Sequence, residues 1–236
     1  MISLIENNAW EEQVGFSEVL GIARGVTAII GGGGKTTLML RLAAELLGKG
    51  SVIICATAKM FPPQGIPLLS PTEQEIAYAL QAQSLICVGN KTPEGKLTLS
   101  LSDIPMLMRQ ADYVLCEADG SKGRPLKAHA QNEPVIPEEA NKTILVMGID
   151  GIGKTVITAA HRPELYAKLL NVGLYHTVTP LDAANVARIE ALHDIVYMNK
   201  VETGAQWDAA RDAARYLACP VAAGALHTEG APCLLS

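Results

Sequence analysis

One stretch decides the fold of this 236-residue chain: Thr27-Ala28-Ile29-Ile30-Gly31-Gly32-Gly33-Gly34-Lys35-Thr36-Thr37. It begins as an apolar run, passes through four glycines and continues as an amphipathic segment that stops at Gly48. Glycines let successive backbone N–H groups curl towards one anion, and a helix that starts beside them adds the positive end of its dipole. A buried strand, a glycine loop and a helix in this order form the context that a phosphate-binding loop requires.

Each residue type in this loop has an expected part in holding a nucleoside triphosphate with Mg²⁺. The four glycines, Thr36 and Thr37 are expected around the phosphates, Lys35 reaches the β and γ phosphates, and the Thr36 hydroxyl is a Mg²⁺ ligand. Ile29 stands where the full G-x-x-x-x-G-K-[ST] pattern has its first glycine, so the loop is the variant G-G-x-G-K-T-T. Similar variants occur in the SIMIBI class of P-loop proteins. The alternative, a glycine turn that only caps the strand and the helix, leaves the Lys-Thr pair unexplained.

Composition and charge restrict the class of protein. The chain has 19 basic and 24 acidic residues, a net charge of −5, and 49% hydrophobic residues. Its cations are scattered, so nucleic acid is not an expected partner. The apolar runs are shorter than the roughly 20 residues that span a bilayer, and the first ten residues do not resemble a signal peptide. These features predict a cytoplasmic protein without membrane contact, and the five cysteines, which lack a C-x-x-C pair, are predicted to be buried thiols.

Short apolar runs alternate with helical patterns along the chain. The runs cover residues 26–30, 51–56, 84–88, 113–116, 143–147, 194–198 and 220–223. Helical patterns cover 36–47, a segment that opens with the capping-box spacing of 70–73, and 163–170, 181–191 and 205–217. The alternation predicts a three-layer α/β fold of the P-loop NTPase type, with a mainly parallel sheet covered by helices on both faces. We expect one domain over 1–236, with a leading helical segment over 1–22 and a small hairpin over 90–101.

A second glycine-rich segment, Gly148-Ile149-Asp150-Gly151-Ile152-Gly153-Lys154-Thr155, fits the full pattern better than the first. The residues after it are β-branched and lead to His161-Arg162-Pro163, which does not favour the firm helix that a phosphate loop needs. We therefore expect a loop at the carboxyl end of a neighbouring strand, with Asp150 facing the ligand pocket. A second triphosphate site and a solvated turn remain the alternatives.

Two acids end the apolar run at 113–116, in the sequence Cys116-Glu117-Ala118-Asp119-Gly120. Side chains two residues apart on a strand share a face, so Glu117 and Asp119 are both expected at the phosphate site. One would bind Mg²⁺ through water and the other would orient an attacking water or a substrate hydroxyl. The pattern does not distinguish the two roles. Acids that merely end a strand in a solvated turn are the alternative.

Cations cluster directly after these acids, at Lys122, Arg124 and Lys127. In an acidic protein this local reversal of charge predicts contact with an anionic second substrate or with the triphosphate itself. Lys59, which follows the second apolar run together with Thr57, would complete the same pocket. Ordinary surface-loop lysines are the competing interpretation.

A late apolar run ends in Asn199-Lys200-Val201-Glu202. This N-K-x-E sequence is one methylene longer than the N-K-x-D by which P-loop GTPases bind guanine. The Glu202 carboxylate can accept the two hydrogen bonds that guanine offers and adenine does not. GTP and ATP are both kept as the nucleotide, because helix capping or an adenine-tolerant loop would also explain the sequence.

Several of these motifs together resemble the YqeC family. The resemblance rests on residues 31–37, 117–121, 124–128, 133–137, 148–154, 161–164 and 199–200. It implies a P-loop fold and a part in the maturation of selenium-dependent molybdenum hydroxylases, with such a hydroxylase as a possible partner.

From the residues, we expect a Mg²⁺-dependent NTPase or nucleotide-using transferase in which Lys35, Glu117 and Asp119 act at the γ-phosphate. A nucleotide-gated chaperone or adaptor with little turnover is the main alternative. A Mur-type amide ligase is a third, and the chain is too short for the additional domains of those enzymes. The histidines show no metal-ligand spacing, and no G-x-S-x-G sequence occurs.

Overall fold

The computed structural model of the chain describes residues 14–228 and 230–235. The strands in these ranges are Gly25–Gly31 (β1), Val52–Ala56 (β2), Leu68–Leu69 (β3), Leu85–Val88 (β4), Asn90–Lys91 (β5), Leu97–Thr98 (β6), Tyr113–Glu117 (β7), Leu126–Lys127 (β8), Ala140–Gly148 (β9), Ala160–His161 (β10), Ile195–Asn199 (β11), Val221–Gly224 (β12) and Cys233–Leu234 (β13). The α-helices are Phe16–Val19 (α1), Lys35–Leu46 (α2), Glu73–Ala82 (α3), Ile104–Gln110 (α4), Val156–Ala159 (α5), Pro163–Leu170 (α6), Pro180–Glu190 (α7) and Gly204–Ala214 (α8).

Nine of these strands form the central sheet, in the order β13-β12-β11-β9-β1-β7-β2-β4-β3. Every pairing in it is parallel except that of the edge strand β13 with β12. The chain continues from β1 outward to β2 and β4 on one side, and later to β9, β11 and β12 on the other. β1 therefore ends where the strand order reverses, which is the place where open α/β sheets bind ligands.

Helices cover both faces of the sheet. Leu38 and Leu42 of α2 pack with Phe16 of α1 against one face, beneath β1, β2, β7 and β9. On the opposite face, α3 and α4 cover β2 and β4, while α6, α7 and α8 cover β9, β11 and β12. Because strands covered on both faces have buried side chains throughout, β2, β7 and β11 are buried at every position. The predicted three-layer fold with a mainly parallel sheet is confirmed.

The predicted elements agree with the structure except in details. All seven apolar runs are strands of the central sheet, and the segment 90–101 contains the β5–β6 hairpin. The predicted capping box at 70–73 is wrong: α3 begins at Glu73, its N-cap is Thr72, and no side chain caps it. Helix α4 and the small two-stranded sheet of β8 and β10 were not predicted, because short segments carry little periodicity.

Two further predictions are corrected or limited by the described residues. Cys55, Cys87 and Cys116 are buried as predicted, but Cys219 is half-buried and Cys233 on the edge strand is exposed. Most of the predicted leading helix lies outside the described residues, and the described part contains the single turn α1. Among the described helices, none has the length and apolar character required to cross a bilayer.

Candidate functional site

The glycine loop connects β1 to α2 at the centre of the carboxyl edge of the sheet. Gly31, Gly33 and Gly34 adopt φ values of 94°, 77° and 128°, which L side chains rarely adopt. A Cβ atom on Gly33 would lie 2.3 Å from the backbone nitrogen of Gly148, so the loop also packs closely on the turn after β9. The loop leads directly into α2, a helix of 12 residues. The first N–H groups of this helix have no intrahelical acceptor.

The sequence predicted that all four loop glycines would lie around the phosphates, but three of their N–H groups donate hydrogen bonds within the protein. Gly31 donates to Asp119 Oδ2 at 2.8 Å, Gly32 to the Val146 carbonyl at 2.9 Å, and Gly33 to the Arg124 carbonyl at 3.0 Å. These three groups are used within the protein because the neighbouring strand ends approach so closely. The open cleft begins at Gly34 and continues along the first turn of α2.

Lys35 is buried and lies among acidic groups. Its ammonium is 3.0 Å from Asp119 Oδ1 and 3.9 Å from Glu117 Oε1, and it donates to the Gly31 carbonyl at 2.7 Å. The Ser121 hydroxyl lies 3.4 Å away. The structure thus brings together Lys35 and both predicted acids, as expected for side chains at adjacent strand ends.

Thr36 and Glu117 form the second feature of the site. The Thr36 hydroxyl donates to Glu117 Oε2 at 2.7 Å, and Glu117 is the last residue of β7. Burial raises the pKa of Glu117, while Lys35 and Thr36 act in the opposite direction. Hydroxyl and carboxylate oxygens are among the ligands that Mg²⁺ prefers, so this donor pair would fit the ion.

Asp119 has different surroundings from Glu117 and is closed off from solvent. His129 Nε2 lies 2.7 Å from Asp119 Oδ2, and the other ring nitrogen of His129 lies 2.7 Å from Glu190 Oε2 at the end of α7. Burial alone would raise the pKa of Asp119, but His129, Lys35 and Lys127 hold it well below its ordinary value. For His129, burial by itself would lower the pKa. Its two carboxylate partners, Asp119 and Glu190, raise the pKa instead.

Lys127 extends this buried network towards the surface. Its ammonium is fully buried and lies 3.3 Å from Asp119 Oδ2 and 2.9 Å from Glu133 Oε2. Glu133 in turn accepts two hydrogen bonds from Arg162, at 2.7 and 3.3 Å. Although partial burial opposes the shift, Arg162 and Lys127 lower the pKa of Glu133 from 4.5 to about 2.

The structure separates the residues predicted to hold a second substrate. Lys59 and Lys122 line the cleft. Lys127 instead binds Asp119 and Glu133, so no open position faces it, and the Arg124 guanidinium donates to the Thr158 carbonyl. Asp150 is bound by Lys200 at 3.1 Å and by Lys154 at 3.4 Å, away from the residues that line the cleft. A local charge reversal in the sequence therefore does not identify which cations face a ligand.

The second glycine-rich segment does not lead into a long helix. After β9 it forms a 3-10 turn over Ile149–Gly151, and the helix that follows, α5, has only four residues. This agrees with the preference for the loop at 31–37 as the phosphate site. The segment packs on that loop, because the backbone of Gly148 closely approaches Gly33. The Gly148 N–H also donates to the Pro125 carbonyl.

Asn199 connects the other side of the sheet to the phosphate loop. Its Nδ2 donates to the Gly33 carbonyl at 2.7 Å, and its Oδ1 accepts from the N–H groups of Lys200 and Leu226. Glu202 lies beyond it, exposed. Helix capping does not explain Glu202, because Thr203 is the N-cap of α8 and forms a capping box with Gln206.

A cleft of about 850 Å³ opens beside the phosphate loop. It is lined by residues of the α2 start, of the segments after β2 and β7, and of the β10–α6 junction: Gly34, Lys35, Thr36, Thr37, Ala58, Lys59, Met60, Phe61, Lys96, Glu117, Ala118, Asp119, Gly120, Ser121, Lys122, Gly123, Asn132, Glu133, Val135, His161 and Arg162. Asn199, Lys200 and Glu202 do not line it. The cleft and the N-K-x-E segment thus lie on opposite sides of the phosphate loop.

Several site residues were not identified from the sequence. His129 and Glu190 lie 61 positions apart and meet only through packing of α7. Glu133 and Arg162 belong to segments that carry the family resemblance, which is the one signal that pointed to them. No sequence pattern indicated that Phe61 and Lys96 would line the cleft, since a single aromatic residue and a hairpin lysine are common at any protein surface.

Two comparisons with known proteins show the family of this chain. A family model described as "YqeC protein" matches residues 27–164, which include the phosphate loop, both acids, His129, Glu133 and Arg162. A protein of Escherichia coli (strain K12) described as "Uncharacterized protein YqeC" is 33% identical over 153 residues. The match covers 61% of this chain and 60% of that relative's length.

Proposed function

This chain belongs to the YqeC family, and we propose that it is a Mg²⁺-dependent nucleoside triphosphate-binding protein that acts as an NTPase or a nucleotide-using transferase. One observation carries the proposal. At the start of α2, the Lys35 ammonium lies between the carboxylates of Glu117 and Asp119. The Thr36 hydroxyl donates to the Glu117 carboxylate at 2.7 Å. A cation for the phosphates and an oxygen pair for Mg²⁺ are thereby placed at the positive end of one helix.

The expected contacts with the nucleotide follow from this arrangement. The N–H groups of Lys35, Thr36 and Thr37 lie at the open start of α2 and would hold the phosphates. Lys35 would exchange part of its contact with the acids for the β and γ phosphates, since a triphosphate carries more negative charge than the two carboxylates. Mg²⁺ would be held by Thr36 and Glu117 and would neutralise charge on the phosphates.

Glu117 and Asp119 are proposed to have different tasks. Glu117 reaches the cleft beside Thr36, so it is the acid expected at the metal and the γ-phosphate. Asp119 is held by Lys127, His129 and the Gly31 N–H, so its part is to position Lys35 and the loop. A carboxylate with this many donors stays ionised, which suits the positioning of a lysine.

Guanine is the proposed base. Glu202 is exposed beyond Asn199, and the capping of α8 does not occupy it. Asn199 meanwhile joins the segment to the phosphate loop, so a base bound by Glu202 would have its phosphates at α2. ATP is the alternative that a titration decides.

The family resemblance extends the proposal to a process. We place the protein in the maturation of selenium-dependent molybdenum hydroxylases, with a hydroxylase as partner. A nucleotide-gated chaperone or adaptor is the second candidate, because the buried network from Lys35 to Glu190 connects the phosphate loop with α7 and would transmit nucleotide occupancy to that helix. Such a protein would bind its partner in one nucleotide state and turn over slowly.

Calorimetric titration with GTP and then ATP, each with and without Mg²⁺, tests the proposal. We expect Mg²⁺-dependent binding that Lys35→Ala weakens by at least about tenfold, the scale of a lost charge-assisted hydrogen bond. Lys154→Ala is the matched control, because this lysine ends the second glycine segment and is expected to leave binding unchanged. If neither GTP nor ATP binds, the phosphate site is refuted.

Phosphate release under multiple turnover then distinguishes the two candidate functions. Release that disappears in Lys35→Ala supports an enzyme. Nucleotide-dependent co-elution with a selenium-dependent hydroxylase, without release, supports the adaptor.

A further inference from the structure

The cleft is larger than a phosphate site requires, and its far wall has its own chemistry. Beyond α2 it continues past the ends of β7 and β2 to the β5–β6 hairpin. The N-K-x-E segment lies on the other side of the phosphate loop, past β9. A nucleotide that spans from Glu202 to Lys35 would therefore fill the loop and leave most of this cleft open beyond its last phosphate.

Phe61 is the most unusual residue of this wall. Its ring is 65% exposed, although large aromatic side chains ordinarily bury most of their area. The backbone beside it is well anchored, because Met60 is buried and forms two backbone hydrogen bonds with Leu97 of the hairpin, at 3.1 and 2.7 Å. The ring is thus presented to the cleft by a paired segment.

A cation accompanies the exposed ring. The Lys96 ammonium lies 5.0 Å from the centroid of the Phe61 ring, and this lysine also lines the cleft. A lysine on one face leaves the other face and the ring edges open, which agrees with the large exposed fraction of the ring. The pair offers both a flat apolar surface and a positive charge within a few ångströms.

The segment after β7 also contributes a cation to the cleft. Lys122 is exposed there with a φ of 49°, and Arg162 adopts a φ of 62° at the start of α6, where Glu133 holds its guanidinium. Backbone strain of this kind in non-glycine residues is concentrated at functional sites. Among the described residues, no carboxylate lies within ion-pair distance of Lys96 or Lys122.

We propose that this cleft binds a second substrate that has a flat aromatic ring and a compact anionic group of the phosphate type. The ring packs on Phe61, and the anionic group is held by Lys96 and Lys122. The substrate would then lie next to the end of the triphosphate. This proposal rests on the proposed nucleotide site for its role, but not for its binding.

Titration of 1-naphthyl phosphate into protein loaded with Mg²⁺-ADP tests it. We expect binding that is at least about fivefold tighter than that of cyclohexyl phosphate, and Phe61→Ala is expected to remove about five- to tenfold in affinity, the scale of a lost aromatic stack. Lys96→Ala should weaken both phosphates. Tyr78→Ala and Lys91→Ala are matched controls, since both side chains are exposed outside the cleft.

Three results of the direct titration would overturn the proposal. They are no measurable binding of 1-naphthyl phosphate, equal affinity for the aromatic and the cyclohexyl compound, or an affinity that Phe61→Ala leaves unchanged. Displacement of the probe by ADP would place it on the phosphate loop and count equally against this site. If ADP itself does not bind, the nucleotide proposal fails separately, and the same titration on nucleotide-free protein still tests Phe61.

Discussion

Two acids that are nearly adjacent in sequence have separate surroundings. Glu117 ends β7 at the cleft and accepts the Thr36 hydroxyl, whereas Asp119 accepts the Gly31 N–H and lies against Lys127 and His129. Under the proposal the first would exchange its partner for a metal ion, because the Thr36 hydroxyl is its one side-chain hydrogen bond among the described residues and Lys35 lies 3.9 Å away. The second is fully buried and would leave several donors unpaired if it moved.

The Thr36 hydroxyl is expected to determine the dependence on Mg²⁺. Thr36→Val keeps the backbone N–H at the helix start and removes the oxygen, so nucleotide affinity should become nearly independent of Mg²⁺ while metal-free binding persists. Calorimetry with and without Mg²⁺ measures this, and Thr36→Ser should retain the dependence. Full Mg²⁺ enhancement in Thr36→Val would contradict the assignment.

The Glu202 carboxylate is expected to select the base. Glu202→Ala should weaken GTP binding by about tenfold or more, the scale of hydrogen bonds to a charged group, and should leave ATP binding unchanged. Competition titrations with the two nucleotides measure the ratio. Asp208→Ala on the exposed side of α8 is the control, and equal affinity of the unaltered protein for GTP and ATP would refute guanine selection.

At the scale of elements, one buried polar network joins segments that are distant in the chain. It passes from α2 through the strand end after β7 to α7 by way of His129, and to α6 by way of Lys127 and Glu133. Each carboxylate in it has a cationic or N–H partner, which is the condition for burying charge. The network therefore fixes how these elements meet at the phosphate loop.

The Glu133 ion pairs should make stability depend on pH in the acidic range. Because its pKa is lowered from 4.5 to about 2, Glu133 contributes stability above pH 4.5 that is lost as the pH falls towards 2. Glu133→Gln should thus be less stable than the unaltered protein at pH 7, and the difference should shrink between pH 4.5 and 2. Denaturant unfolding across this range measures it.

Glu138→Gln provides the comparison for that series, since Glu138 is an exposed acid five residues further along. Its unfolding free energy should follow that of the unaltered protein at every pH. A constant difference between Glu133→Gln and the unaltered protein from pH 7 to 2 would show that the ion pairs do not contribute as inferred.

At the scale of the whole molecule, the sheet places three regions along one edge. The phosphate loop follows the central strand β1, the N-K-x-E segment follows β11 on one side, and the cleft opens after β7 and β2 on the other. Under the proposed function, this order would separate a base, a triphosphate and a second substrate in space. A single domain over the chain stays a prediction, which unfolding can test.

Unfolding should occur in one cooperative transition that Mg²⁺ and nucleotide shift upward. Nucleotide at 100 times its dissociation constant stabilises the folded state by about 2.7 kcal/mol. For a domain of this length the midpoint should rise by about 5 to 10 °C. Scanning calorimetry measures the shift, which Lys35→Ala should reduce by about half or more at the same nucleotide concentration. Two separate transitions would contradict a single domain.

The strands, the main helices and the glycine turn between β1 and α2 were predictable because their signals are local. Apolar runs of four to six residues, a helical period and the order of glycines before Lys35 all lie within short windows of the chain. A strand that is buried on both faces must be apolar throughout, and a helix must repeat its apolar residues with its own period. These constraints hold wherever the strand finally lies in the sheet.

The partners of the charged residues depended on tertiary structure. Lys127 and Lys122 look alike in the sequence, yet one is buried between two carboxylates and the other lines the cleft. His129 meets Glu190 across 61 positions, and Arg162 meets Glu133 across 29. Hydrogen bonds and close ion pairs form only within a few ångströms, and water and salt weaken charge interactions at longer distance. A charged side chain therefore acquires its role only when packing has brought its partners close.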